Sequence, residues 1–287
     1  MPYTTLMVQL QPGRSNAAVL QAAAAMAERF GAYVVGITAC RPMQMVYGEA
    51  YMSGELIAQE KAQMQGEVDV AEAEFRNALN GWAGGSEWRS IIMFAPLADF
   101  VAHEARSVDL VIISSDATGS ADASRALHVD DLIMQVGRPV FIVPQILQVP
   151  QMLQVTQAPQ AHALDRVLVG WTDSREARRA VVDALPLLQK ATHVVVTEIV
   201  VEANFANAHQ RLSDVVTWLR RHEVLAKPLV VLSTGDDALH LNSIAQEQSA
   251  GVIVAGAYGH SRLREWVLGG VTRKLLKHAD RYLLLSH

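Results

Sequence analysis

The stretch Gly256-Ala-Tyr-Gly-His-Ser-Arg-Leu-Arg-Glu-Trp-Val-Leu-Gly-Gly-Val-Thr272 carries four glycines and follows the apolar run Gly251-Val-Ile-Val-Ala255. Bare backbone at the end of a strand serves one of two purposes. It makes a tight connection into a helix, or it brings N–H groups close to a phosphate. Gly256 and Gly259 would permit the close approach, while Gly269 and Gly270 precede Val271-Thr-Arg-Lys-Leu-Leu276, which opens like a helix. A helix N-terminus offers free N–H groups and a positive dipole end, so this is anion-binding chemistry. Thr272 would add a hydroxyl, and Arg262 or Arg264 a charge. The loop is neither a Walker A sequence nor G-x-G-x-x-G, and the turn-making reading stands beside the phosphate reading.

Other reactive residues form no pattern. The ten histidines show no H-x-x-x-H or H-E-x-x-H spacing, and the single cysteine, Cys40, builds no thiolate site, so no metal ligands are assigned. His260 and Ser261 are adjacent and do not face each other on regular structure; there is no G-x-S-x-G elbow. His260 is read as a loop-ordering or ribose-side contact. Asp236 and Asp237 read as the N-cap region of a helix, where carboxylates complement the dipole. Without a positioned base, nucleophile or metal cluster, no catalytic residue is nominated and the protein is read as a non-enzyme.

The elements that must position the glycine loop are written twice in the chain. Leu6 to Leu10, Asn16 to Phe30 and Ala32 to Thr38 read as strand, helix, strand; Arg166 to Trp171, Ser174 to Leu185 and His193 to Val200 repeat the order. Each half also ends alike. Asp109 to Ile113 and Pro139 to Val143 close the first half, Gly251 to Ala255 and Arg281 to Leu285 the second. Near-continuous Val/Ile/Leu strands alternating with helices indicate parallel sheets covered on both faces. The fold class is therefore α/β: two tandem doubly wound domains, each with a five-stranded parallel sheet, residues 1–145 and 165–287. The Gln- and Pro-rich residues 146–164 read as a linker. Gly54 to Leu79 reads as a long exposed helix. Met43, Met45, Tyr47, Tyr51 and Met52 just before it are read as core residues, with a groove between the halves as the alternative.

The 287 residues are 51% hydrophobic and 18% charged, a composition suited to two α/β domains of ordinary size. Net charge is −5 and the sequence pI about 6.1, so neither nucleic acid nor an anionic membrane surface is an expected partner. No apolar segment approaches the roughly 20 residues needed to span a bilayer. With one cysteine and no basic region leading into an apolar run, the expected location is the cytoplasm.

On Gly256-x-x-Gly259, nine residues, then Gly269, the chain resembles the universal stress protein family, and Gly-Ala-Tyr-Gly-His-Ser-Arg-Leu-Arg-Glu followed by Gly-Gly-Val-Thr-Arg resembles its bacterial tandem members. The resemblance spans the chain as two domains and is specific in the second half. It implies an adenine nucleotide α-hydrolase-like fold, and ATP or another adenine nucleotide as the ligand. Gly256, Gly259 and Gly269 match the loop glycines, and Val271 with Thr272 match the residues continuing the phosphate turn. Gly270 stands where the ATP-binding pattern has serine; its N–H remains, but the lost hydroxyl bond to a charged group is worth roughly 1.5–3 kcal/mol. Thr172, with Asp173 beside it, occupies the place of the aspartate that meets the nucleoside. In the first half Ser114 and Ala117 replace the glycines, Ala126-Leu-His-Val129 replaces the later pair, Asp116 would repel phosphate, and Gln11 replaces the aspartate. That half is expected to be a degenerate copy serving packing or partner contacts.

The resemblance thus implies a stress-response binding and regulatory protein, with a dimer-like contact within the chain, a further homodimer and a protein partner of unknown identity as candidate assemblies. The alternatives are a ligand-free interaction protein and a slow ATP hydrolase.

Overall fold

The computed structural model describes residues 2–42, 54–115, 127–144, 163–259, 270–278 and 280–287, with the backbone alone for 54–57. The chain divides into two compact units, Tyr3–Val136 and Gly137–His287, the latter together with Met1–Pro2.

In the first unit β1 (Thr5–Gln9), α1 (Ala17–Phe30), β2 (Tyr33–Cys40), α2 (Gly54–Ala78), β3 (Ser86–Ile92), α3 (Leu97–Glu104) and β4 (Leu110–Ser114) follow one another, and α4 (Val129–Gln135) closes it. The strands lie in the order β3-β2-β1-β4, every pairing parallel. The charged segment beginning at Gly54 is indeed one long helix. Its buried side chains Met64, Val68, Ala71 and Phe75 recur at intervals of three and four, which keeps one stripe on the sheet and leaves the rest to solvent.

The second unit contains β5 (Val140–Val143), β6 (Arg166–Gly170), α5 (Arg175–Lys190), β7 (His193–Val200), α6 (Phe205–Arg221), β8 (Ala226–Leu232), α7 (Asp237–Glu247), β9 (Val252–Gly256), α8 (Gly270–Lys277) and β10 (Tyr282–Ser286). Five of its strands run in the order β10-β9-β6-β7-β8, all parallel, which repeats the first unit's arrangement of later strands on one side of the first strand and the second and third on the other. The strands β6, β9 and β10 are buried almost throughout, as a sheet covered on both faces requires. Helix α5 begins where Ser174 accepts a hydrogen bond from the Ala177 N–H at 3.1 Å, and its inner face is Ala177, Ala180, Val181, Ala184 and Leu188.

One strand sits differently from its sequence assignment, so the described strands number four in the first unit and six, one of them antiparallel, in the second, rather than five parallel strands in each. Pro139 to Val143 reads as the last strand of the first half, yet β5 belongs to the second compact unit and pairs with β10 antiparallel, Ile142 opposite Leu283 and Phe141 opposite Leu284. All four residues of β5 are buried. An apolar run buried on both faces carries no period that names its neighbour or direction, so only the three-dimensional pairing reveals it. The segments Met43 to Met52 and the linker core 145–162 lie outside the described residues.

Candidate functional site

Strand β6 is the point at which the second sheet reverses its order, with β7 on one side and β9 on the other. Register places Gly170 beside Thr197 and beside Ala255, so three carboxyl ends open together. Open parallel sheets hold ligands at such a place. A cavity of about 480 Å³ lies there, walled by the start of α5, by Asp237 and Leu241 of α7, and by Gly270 to Leu275 of α8. Two devices fix the walls. Asp236 caps α7 through the Leu239 N–H at 3.3 Å and also accepts from Lys274 Nζ of α8 at 2.6 Å. The side chain of Leu241 packs against the bare face of Gly170, with its Cδ2 3.1 Å from where a Cβ would stand. The expected N-cap role of Asp236 is therefore observed, and the Lys274 hydrogen bond holds its carboxyl below the usual carboxylate range.

Of the residues singled out in the sequence, Thr172, Gly256, Gly259, Gly270, Val271 and Thr272 all line this one cavity. His260 and Gly269 lie outside the described residues, as do Arg262 and Arg264. The three described glycines have different surroundings. A Cβ on Gly256 would lie 2.5 Å from the Ala177 nitrogen and 2.6 Å from the Glu176 carbonyl carbon, so this glycine lets β9 pack against the first turn of α5. A Cβ on Gly259 would lie 2.6 Å from Glu176 Oε2: the space next to this glycine holds a carboxylate. Gly270 has nothing within 4 Å on that side among the described residues. Between them Tyr258, a buried cavity residue, adopts a left-handed φ of 58°, a conformation that costs a non-glycine residue of order 1 kcal/mol and is found where surrounding structure enforces it.

Several lining residues carry no sequence signal of a site. Trp171, Glu176 and Thr197 are 7%, 6% and 1% exposed, and Trp171 Nε1, Glu176 Oε2 and Thr197 Oγ1 are each buried without a hydrogen-bond partner among the described residues. Buried polar atoms are ordinarily paired, and an unpaired one costs roughly 1–3 kcal/mol. All three belong to residues that line this cavity, although the atoms themselves are shielded from it. Glu176 Oε1 faces Arg175, with Nη2 3.1 Å away. Burial opposes ionisation of this carboxyl, but its own backbone N–H, Arg175 and the Ser174 hydroxyl outweigh burial and hold it below the usual carboxylate range. Glu176 is thus a carboxylate at neutral pH.

The corresponding end of β1 in the first unit is built otherwise. Asn16 accepts from the Gln11 N–H at 2.8 Å and donates to the Gln11 carbonyl and to Glu74 Oε2 of α2 at 3.1 and 2.8 Å. The position matching Thr197 by register is Ile37, fully buried. A cavity of about 420 Å³ does adjoin this loop, between Gln11 to Asn16 and the α2 residues Glu67 and Glu74. Its polar groups are largely engaged with one another, although the buried Gln11 Nε2 lacks a partner among the described residues.

Residues 163–286 match the Universal stress protein family. Over the whole length the fold is similar to that of a universal stress protein from Archaeoglobus fulgidus DSM 4304, with a TM-score of 0.72 at 11% identity, covering 99% of this chain and 96% of that one. A functionally unknown protein from Pseudomonas aeruginosa PAO1 aligns with a TM-score of 0.55 at 11% identity, covering 99% and 92%. A universal stress protein solved in complex with cAMP aligns over 50% of this chain and 98% of its own, at 19% identity and a TM-score of 0.35. No curated protein matches the sequence. The segment matched by that family is therefore the one that carries both the glycine loop and the cavity at the end of β6. Among the described residues, no group of three or more His, Cys, Asp or Glu is arranged to hold a metal, and no helix is long and apolar enough to cross a membrane.

Proposed function

We propose that this protein is a cytoplasmic stress-response binding module whose universal stress protein domain takes one adenine nucleotide or nucleoside in the cavity at the end of β6. The observation that carries the reading is the cavity of about 480 Å³ at the point where the parallel strands reverse order, lined together by Thr172, Gly256, Gly259, Gly270, Val271 and Thr272. Apolar Leu241, Ile199 and Leu275 supply surface for a flat base, and Thr172, Thr272 and the glycine backbone supply polar groups for orientation.

Calorimetry of the full chain with adenosine, AMP and ATP tests it. Saturable binding of at least one of them, with one site per chain, is the expected result. Replacing the exposed cavity residue Thr172 with valine keeps the shape and removes a hydroxyl, so the ligand should bind about tenfold more weakly with little change in melting temperature. No heat from any of the three at millimolar concentration would leave the interaction-protein reading in its place.

A further inference from the structure

Helix α8 walls the cavity with Gly270, Val271, Thr272 and Leu275, and little holds it there. It has eight residues, shorter than the roughly 12–15 at which an isolated helix begins to hold in water. Of these eight, Thr272 and Leu275 alone are buried. Among the described residues, one side-chain hydrogen bond ties α8 to another element: Lys274 Nζ donates to Asp236 Oδ2 at 2.6 Å.

Asp236 serves both walls at once. Its Oδ1 caps α7 through the Leu239 N–H at 3.3 Å, and its Oδ2 takes the lysine, so a single carboxylate joins the first turn of α7 to α8. The Lys274 and Asp236 side chains are 53% and 33% exposed, and an ion pair so placed contributes little to global stability and is weakened by salt. Its effect is local. Without it the first turn of α8, and Thr272 with it, is freer to leave α7, and a ligand must then restore that order out of its own binding energy.

Resting on the adenine-ligand reading above, we propose that Asp236 and Lys274 are positioning residues of the cavity: their ion pair latches α8 to α7 around the nucleoside, so ionic strength sets the affinity of the site even for an uncharged ligand.

Calorimetric titration of the full chain with adenosine, which is uncharged at neutral pH, tests this at about 0.01 M and about 1 M sodium chloride, between which the screening length falls from about 30 to about 3 Å. Wild type is expected to bind adenosine about threefold more weakly at the higher salt. Lys274→Gln removes one charge, and Asp236→Asn removes the other while keeping a good N-cap. Each should show the weakened affinity already at low salt, lose nothing further at high salt and melt close to wild type, and the double variant should match either single one. Salt-independent binding of adenosine by wild type overturns the proposal by itself, whether or not the variants fold, and leaves the adenine-ligand reading standing. Folded variants that keep the wild-type salt dependence overturn it equally. So does an Asp236→Asn variant that binds AMP or ATP more tightly than wild type, since the freed Lys274 would then be a ligand contact. Binding of AMP or ATP without adenosine overturns the proposal alone; binding of none of the three overturns both.

Discussion

A methyl group added at Gly256 would lie 2.5 Å from a backbone nitrogen of α5, and neither backbone can move without separating helix from strand. At Gly270 the same methyl would meet nothing among the described residues within 4 Å, at the first position of α8. We therefore expect Gly256→Ala to lower unfolding free energy by about 1–3 kcal/mol, as overpacking does, and Gly270→Ala to leave it unchanged or raise it by up to about 1 kcal/mol. Urea denaturation of the two variants checks the pair; equal effects would contradict the separate roles. The spacing of these glycines was legible in the sequence because turns and close approaches leave few alternatives to glycine. Their separate roles were not, since one letter serves helix packing at Gly256, a carboxylate at Gly259 and open space at Gly270. Glu176 was also illegible: an acidic residue in a helix's first turn is ordinary dipole chemistry, and nothing local shows that its second oxygen lacks a partner. Thr197 left the faintest trace, one hydroxyl in the strand His193-Val-Val-Val-Thr-Glu-Ile-Val200.

Helix α5 forms one wall of the cavity, and its first turn sets the position of Glu176. That turn is held by Ser174, which is 8% exposed and accepts the Ala177 N–H. Ser174→Ala should cost about 1 kcal/mol of stability, the usual effect of losing an N-cap, whereas Ser174→Asp should retain most of it. Chemical denaturation of both variants reads this, and an alanine variant as stable as wild type would show that the cap does not hold the turn. At this scale most of the structure could be read beforehand, because apolar runs bounded by polar turns specify strands and the three-four spacing in α2 specifies a helix with a buried stripe. The exception is β5. Its residues Val140-Phe-Ile-Val143 read correctly as a strand, but the antiparallel partner β10 is separated from it by more than a domain of sequence.

Across the molecule, one α/β arrangement has been used for two different ends. In the first unit Asn16 and Glu74 are hydrogen-bonded at the end of β1, beside a cavity of about 420 Å³, and the residue level with Thr197 is the apolar Ile37. In the second unit the equivalent end of β6 borders a 480 Å³ cavity lined by Thr172 and the loop glycines Gly256, Gly259 and Gly270. Such asymmetry predicts that ligand binding orders only one of the two units, because the glycine loop borders the cavity of the second unit. Hydrogen–deuterium exchange on the full chain, with and without a saturating amount of the tightest-binding adenine ligand, reads this directly. The account predicts slowed exchange at residues 170–176, 197–199 and 255–259 with residues 9–16 unchanged; equal protection of residues 9–16, or none at the carboxyl ends of β6 and β9, would contradict it.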